Sequence, residues 1–231
     1  NVLGDSMLSP ALQDSHIALY DIDKQRLEDS ELMLKNINKN CNQERAEIVS
    51  YQDRKEALKD ADYIVNAIQV GGYKPCTVTD FEIPKKYGLR QTIADTLGIG
   101  GIFRALRTIP VMLDFARDIE EVCPDAWFIN YVNPMAMVTG AMLKATNVKT
   151  VGLCHSVQVC ASSLLKGVGM STENVQYKIG GINHMGWLLE ITRDGKDLYP
   201  EIKKRAQEGN IPEDNQIRFK IMEEFGYYVT E

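Results

Sequence analysis

Apolar and polar positions along this chain follow two periods that take turns. Short β-branched or apolar runs predict strands at His16–Tyr20, Glu47–Ser50, Tyr63–Ile68, Trp127–Tyr131 and Thr150–Leu153. Between them, helical spacing predicts helices at Lys24–Asn40, Phe103–Val122 with an interruption near Pro110, Met135–Thr146 and Val157–Lys166. Strand and helix alternate in this way when each crossover between parallel strands carries a helix. After Gly169 the texture changes. Val175–Ile179 and Trp187–Thr192 pattern as antiparallel strands joined through Gly-Ile-Asn-His, and polar helices follow at Tyr199–Gln207 and Gln216–Phe225. The expected architecture is therefore α/β: a doubly wound parallel sheet over 1–168 and the start of a second, α+β domain over 169–231.

The opening of the chain sharpens that picture. An amphipathic segment, Asn1–Leu12, precedes the first predicted strand, which ends in Tyr20-Asp21-Ile22-Asp23. In a Rossmann-like dinucleotide-binding domain, a first strand and its glycine-rich turn stand about twenty residues before such an acidic strand end. The expectation is that this first strand and glycine loop are missing here. Asp21 would then hold the ribose diol of a nucleotide. The competing reading makes it only the cap of the following helix.

Composition excludes several classes of partner. The 231 residues are 44% hydrophobic and 25% charged, with a formal net charge of −6. That balance argues against nucleic acid or an anionic membrane, both of which select basic surfaces, and for a small molecule. The five cysteines are odd in number and irregularly spaced, which fits reduced thiols in the cytoplasm. No apolar run approaches the ~20 residues of a membrane span.

Two of the three histidines, His155 and His184, stand in short polar segments after strand-like runs, Gly152-Leu153-Cys154-His155-Ser156 and Gly181-Ile182-Asn183-His184-Met185. Strand ends are where α/β sheets hold ligands, and Cys and His are metal-binding side chains. Those two segments occur in order with Gln69–Pro84, Gln91–Gly98, Arg104–Pro110 and Asn130-Tyr131-Val132-Asn133-Pro134-Met135-Ala136-Met137. Together they resemble the bacterial α-galactosidases of glycoside hydrolase family four, and the likeness runs over essentially the whole chain. Ile99 departs from it, standing where the family usually has proline.

The resemblance implies a hydrolase working by redox chemistry, an exception to the two-carboxylate scheme of most glycosidases. NAD would take hydride from C3 of the sugar, the C2 proton would leave, the aglycone would depart, and water and hydride would then return. A divalent metal, Mn2+ or another transition metal, would bind the C2 and C3 oxygens. Cys154 and His184 match the family's metal ligands, the competing readings being a packed thiol and a hydrogen-bonded core histidine. His155 stands where the acid that assists departure is found, or else only lines the substrate. Asp95 would orient His155 or hold a sugar hydroxyl, or serve as a loop turn or helix cap. Asn133 would bind sugar hydroxyls, or form a turn before Pro134. Gln69 and Asn130 would line the nicotinamide side, or be ordinary loop polarity. The C2 base is expected beyond Glu231, with Tyr227 and Tyr228 as packing. The family's enzymes are longer at both ends, so the chain by itself is expected to be inactive. An α-galactoside is the implied substrate, with α-glucosides and galacturonides as alternatives and a homo-oligomer, dimer or tetramer, as the expected assembly. A lactate/malate-type dehydrogenase and an inactive binding module are the other classes left open.

Overall fold

The structure is a computed structural model that describes residues 2–209 and 211–231. Asn1, the first residue of the predicted amphipathic segment, lies outside the described residues. The elements run α1 (Val2–Leu8), β1 (His16–Tyr20), α2 (Lys24–Cys41), β2 (Glu47–Tyr51), α3 (Arg54–Leu58) and β3 (Tyr63–Asn66). An irregular helical turn (Gly72–Thr77), α4 (Val78–Lys85), α5 (Gly98–Val122), β4 (Trp127–Asn130), α6 (Met135–Ala145), β5 (Lys149–Gly152) and α7 (His155–Gly167) follow. The chain then forms β6 (Val175–Ile182), β7 (Met185–Arg193), β8 (Lys196–Asp197), α8 (Tyr199–Glu208), α9 (Gln216–Phe225) and β9 (Tyr228–Val229).

Among the described residues the strands form three sheets. β1 and β2 pair in parallel, His16 opposite Glu47 through Tyr20 opposite Tyr51. β3, β4 and β5 form a second sheet in that order. The third is antiparallel, with β6 against β7 and both β8 and β9 against β7.

The chain divides into two compact units. One holds the residues up to Ile64 together with Leu113–Phe128 and Thr146–Lys149; the other holds Val65–Met112, Ile129–Ala145 and Thr150–Glu231. In the first unit, Met7 of α1 and Leu27 and Leu34 of α2 close over Ile17, Leu19 and Ile48 of the parallel pair. Asp23, not Asp21, caps α2, its side chain accepting from Arg26 N–H at 3.0 Å. Buried Asn38 holds the turn from α2 into β2. Its Nδ2 donates to the Ala46 carbonyl at 2.7 Å, and its Oδ1 accepts from Ala46 N–H at 3.2 Å and Asn42 Nδ2 at 3.0 Å. In the second unit, α7 buries Cys160, Leu164 and Leu165 against Leu188 of β7, Ile202 of α8 and Phe219 of α9. The change of texture near Gly169 thus falls inside one core, because the helix before it and the strands after it share their apolar faces.

Several elements differ from the predicted bounds by a residue or two, and α5 and the hairpin differ for reasons the structure shows. Helix α5 begins at Gly98 and continues past Pro110 without interruption. A helical proline removes one donor, here from the carbonyl of Leu106. Pro110 and Leu106 are both exposed, so the loss falls on the solvent side of the helix. The hairpin is also tighter than predicted: β6 extends to Ile182, so only Asn183 and His184 form the turn. Gly181 permits this, with φ +132° and a Cβ that would meet the Met185 carbonyl oxygen at 2.4 Å.

Replacing Asn38 by Ala strands the buried N–H and carbonyl of Ala46. The expected loss is about 2–4 kcal/mol of stability, read as a lower urea midpoint with an unchanged slope.

Candidate functional site

Buried hydrogen bonds align the strand ends of the second unit. Tyr131 N–H donates to the Asn66 carbonyl and Leu153 N–H to the Asn130 carbonyl, both at 3.0 Å, so the ladder runs on past the last strand residues. The Asn66 and Asn130 side chains face each other within it, Asn66 Nδ2 donating to Asn130 Oδ1 at 2.9 Å. Asn130 Oδ1 also accepts from Val132 N–H at 3.0 Å, while its Nδ2 donates to the Val132 carbonyl at 3.3 Å and Thr139 Oγ1 at 3.2 Å. A carboxamide offers two donors and two acceptor positions, and all four of Asn130 are used inside the protein. Gln69 differs: it is exposed, and its Nε2 donates to Thr77 Oγ1 at 3.0 Å.

The loop after β4 is tied down through Asn133. Its Nδ2 donates to Asp95 Oδ2 at 3.2 Å, its Oδ1 accepts from Asn183 Nδ2 at 3.1 Å and Met135 N–H at 3.4 Å, and its carbonyl accepts from Arg104 Nε at 3.1 Å. Buried Asn183, beside His184 in the hairpin turn, accepts in turn from Ala136 N–H at 3.2 Å. Asn133 Nδ2 makes one hydrogen bond among the described residues and so keeps a second N–H. Asp95 therefore sits on Asn133, with Thr96 Oγ1 donating to its other oxygen at 3.3 Å. The Asp95 loop lies against the first turn of α5: a Cβ on Gly100 would meet the Ala94 carbonyl oxygen at 2.4 Å. Glycine is the side chain that allows this approach.

Cys154 and His155 stand where β5 gives way to α7. Cys154 occupies the N-cap position in extended conformation, and its side chain makes no capping bond. It is half-buried, and its thiol donates to Ser156 Oγ at 3.3 Å. Buried Ser156 donates to Glu231 Oε1 at 2.5 Å, and the same oxygen lies 3.4 Å from His184 Nδ1. Cys154 and His184 are thus connected through two side chains to which the sequence reading gave no role. His184 adopts the left-handed conformation, φ +63°, with its side chain 23% exposed, so it is a turn residue. His155 is exposed and, among the described residues, its ring has no hydrogen-bonding or ionic partner. Among the described residues no group of three Cys, His, Asp or Glu side chains is close enough to enclose a metal by itself. A metal held by Cys154 and His184 would need its remaining ligands from substrate or water.

Tyr228 is packing, as expected. It is fully buried, its hydroxyl donates to Asn215 Oδ1 at 3.2 Å, and burial pushes its pKa up to about 12. Asp21, in the first unit, follows β1. Arg26 donates to it from Nε at 2.6 Å and Nη2 at 2.8 Å, and Asp23 N–H adds a bond of 2.8 Å to Oδ1. The Arg26 hydrogen bonds hold its carboxyl below the usual range, against the opposing effect of partial burial. Oδ2 carries one of these bonds and keeps acceptor capacity.

Comparison with known proteins bears on what these residues can do. The family model described as family 4 glycosyl hydrolase matches residues 1–170, and that of the family 4 glycosyl hydrolase C-terminal domain matches 179–231. An alpha-galactosidase of Bacillus subtilis is 62% identical over 100% of this chain and 54% of its own length. One from Rhizobium meliloti is 36% identical over 98% of this chain and 46% of its length. The chain therefore spans about half the length of the curated relatives it matches. Among solved structures, a 6-phospho-alpha-glucosidase from gut microorganisms in complex with NAD and Mn2+ superposes with a TM-score of 0.84 at 25% identity, over 98% of this chain and 55% of that one.

The Asp21–Arg26 pair gives a pH test. Because the folded pKa of Asp21 is lowered, the pair's contribution to stability is present above the ordinary carboxylate pKa and is lost as pH falls through the folded value. Arg26→Ala should move the Asp21 titration, followed by carboxyl NMR, upward to the ordinary range. An unchanged titration would contradict the assignment.

Proposed function

The chain belongs to family 4 of the glycosyl hydrolases, and from that premise we propose that it forms the cofactor- and metal-binding part of an enzyme that hydrolyses α-galactosides. The observation that carries the reading is the joining of Cys154 to His184 through Ser156 and Glu231. It presents a thiol outside any capping bond and an imidazole outside the core at one end of the second unit. The choice of galactoside rests on the two alpha-galactosidase relatives. That of NAD and Mn2+ rests on the solved 6-phospho-alpha-glucosidase complex.

The donor set fits a divalent transition metal. A thiolate and an imidazole supply two positions, so a metal held by them would keep its other positions for sugar hydroxyls and water. When bound, the nicotinamide would supply reversible hydride acceptance from the sugar and the metal Lewis-acid stabilisation of developing negative charge. The protein's own groups orient the sugar and move protons. Cys154 and His184 hold the metal. His155, free of internal partners at the start of α7, is the group to protonate the departing glycosidic oxygen. Asp95 and the remaining N–H of Asn133 take sugar hydroxyls, with Asp95 also steadying Asn133. Gln69, exposed and singly bonded, is the more available of the two nicotinamide-side residues. Asn130 acts by ordering the Tyr131–Val132 loop. Asp21 accepts the ribose diol through the free capacity of Oδ2, and Arg26 fixes its direction.

The proposed division is a cofactor domain over 1–168 and a substrate domain from 169, supported by family models that cover 1–170 and 179–231, with α7 packing across the division. Five free cysteines support a cytoplasmic protein, and among the described residues no helix is long and apolar enough to cross a membrane. A homo-oligomer, dimer or tetramer, is the assembly proposed with this reading. The family match favours the hydrolase over the dehydrogenase reading.

In the intact enzyme, hydrolysis of p-nitrophenyl α-galactoside is expected to require NAD and Mn2+ without accumulation of NADH, since hydride returns in each cycle. Steady growth of the NADH absorbance would overturn the hydrolase in favour of a dehydrogenase.

A further inference from the structure

Thr230, the residue before Glu231, is held from three sides. β9 pairs with β7, Trp187 opposite Val229 and Leu188 opposite Tyr228. Beyond that pair, Thr230 N–H donates to the Gly186 carbonyl at 2.9 Å and Gly186 N–H to Thr230 Oγ1 at 3.0 Å, while Arg218 Nη1 donates to the Thr230 carbonyl at 3.2 Å. The residue after Thr230 is thereby delivered beside the hairpin turn that carries His184. There its Oε1 meets the hydroxyl of Ser156, which is 5% exposed, and the Nδ1 face of His184.

A metal-bound imidazole is commonly oriented by a carboxylate on its other nitrogen, which fixes the tautomer and makes the ligating nitrogen more basic. In His184 the carboxylate stands on that side, Glu231 Oε1 lying 3.4 Å from Nδ1, within ion-pair range. With Nδ1 turned to Glu231, Nε2 is left for a metal, and among the described residues no other side chain competes for the ring. We propose that Glu231, steadied by the buried Ser156 hydroxyl, is a positioning carboxylate for the metal site, orienting His184 and coupling it to Cys154. This rests on the metal reading of Cys154 and His184 and adds two residues to it. Ser156 serves both sides: its oxygen accepts from the Cys154 thiol while its hydrogen goes to Glu231. When Cys154 binds a metal as thiolate, the Ser156 hydroxyl keeps Glu231 as its acceptor, so the histidine side stays oriented.

The test is metal affinity in the intact protein, by Mn2+ titration followed by electron paramagnetic resonance. The absorption of the Co2+-substituted form adds a spectroscopic readout. Glu231→Ala is expected to weaken Mn2+ binding about 10- to 100-fold and to shift the Co2+ bands. Ser156→Ala should do so more weakly, and Ser156→Thr, which keeps the hydroxyl, should restore wild-type affinity. Melting temperatures measured alongside identify any variant that has lost its fold, in which case Glu231→Gln, of the same shape without the charge, replaces it. Affinities and Co2+ bands within twofold of wild type for both Glu231→Ala and Ser156→Ala, while Cys154→Ser loses the metal, would overturn the positioning role and leave the metal site intact. Retention of the metal by Cys154→Ser would overturn the metal reading itself and this role with it.

Discussion

Asn133 joins three stretches of chain through one side chain: Asp95 before α5, its own loop after β4, and Asn183 in the hairpin turn. Polar groups brought to the end of a sheet and covered by loops need partners inside the protein, because an unpaired buried amide costs as much as a lost hydrogen bond or more. Asn133 meets that requirement, and so do Asn66 and Asn130, which pair within the sheet. The loops are consequently fixed relative to the strand ends by bonds of defined direction. Apolar packing alone would tolerate a slip.

That polar framework determines what the exposed groups can do. The bonds of Asn133 and Ala136 hold Asn183, and Asn183 is the neighbour of His184. Gly181 closes the hairpin tightly enough to put His184 in a two-residue turn, and the Thr230–Gly186 bonds set Glu231 next to it. On the other flank, Cys154 stands at the N-cap of α7 with its thiol outside any capping bond. Function in this reading depends on polar groups that are left over once the framework is satisfied: Cys154, His155, the outer nitrogen of His184, one N–H of Asn133 and part of Asp95.

Periodicity made most of the fold legible. His16–Tyr20 is a strand with the predicted bounds, and α2, α6 and α7 agree within a few residues, because each buries one face and the burial is written into the spacing. Helix α5 was harder. Its first turn is Gly98-Ile99-Gly100-Gly101, which lacks helical patterning; glycine stands there because a Cβ at position 100 would meet the Ala94 carbonyl. The Gly72–Thr77 turn and α4 gave no signal either, since both contain proline within a weakly amphipathic run. At the site, Cys154, His155 and His184 stood out by residue type. Ser156, Asn183 and Glu231 did not, although the first two lie beside those residues in the same short segments. Their roles depend on partners 75, 50 and 47 residues away, which local pattern does not encode.

The account turns on Cys154 and His184 sharing one metal ion. Anomalous diffraction at the manganese edge, from crystals of the intact protein grown with Mn2+, tests this most directly. The account predicts a single strong peak within bonding distance of both Cys154 Sγ and His184 Nε2. A peak that touches neither side chain, in crystals where the protein is fully loaded, would contradict it.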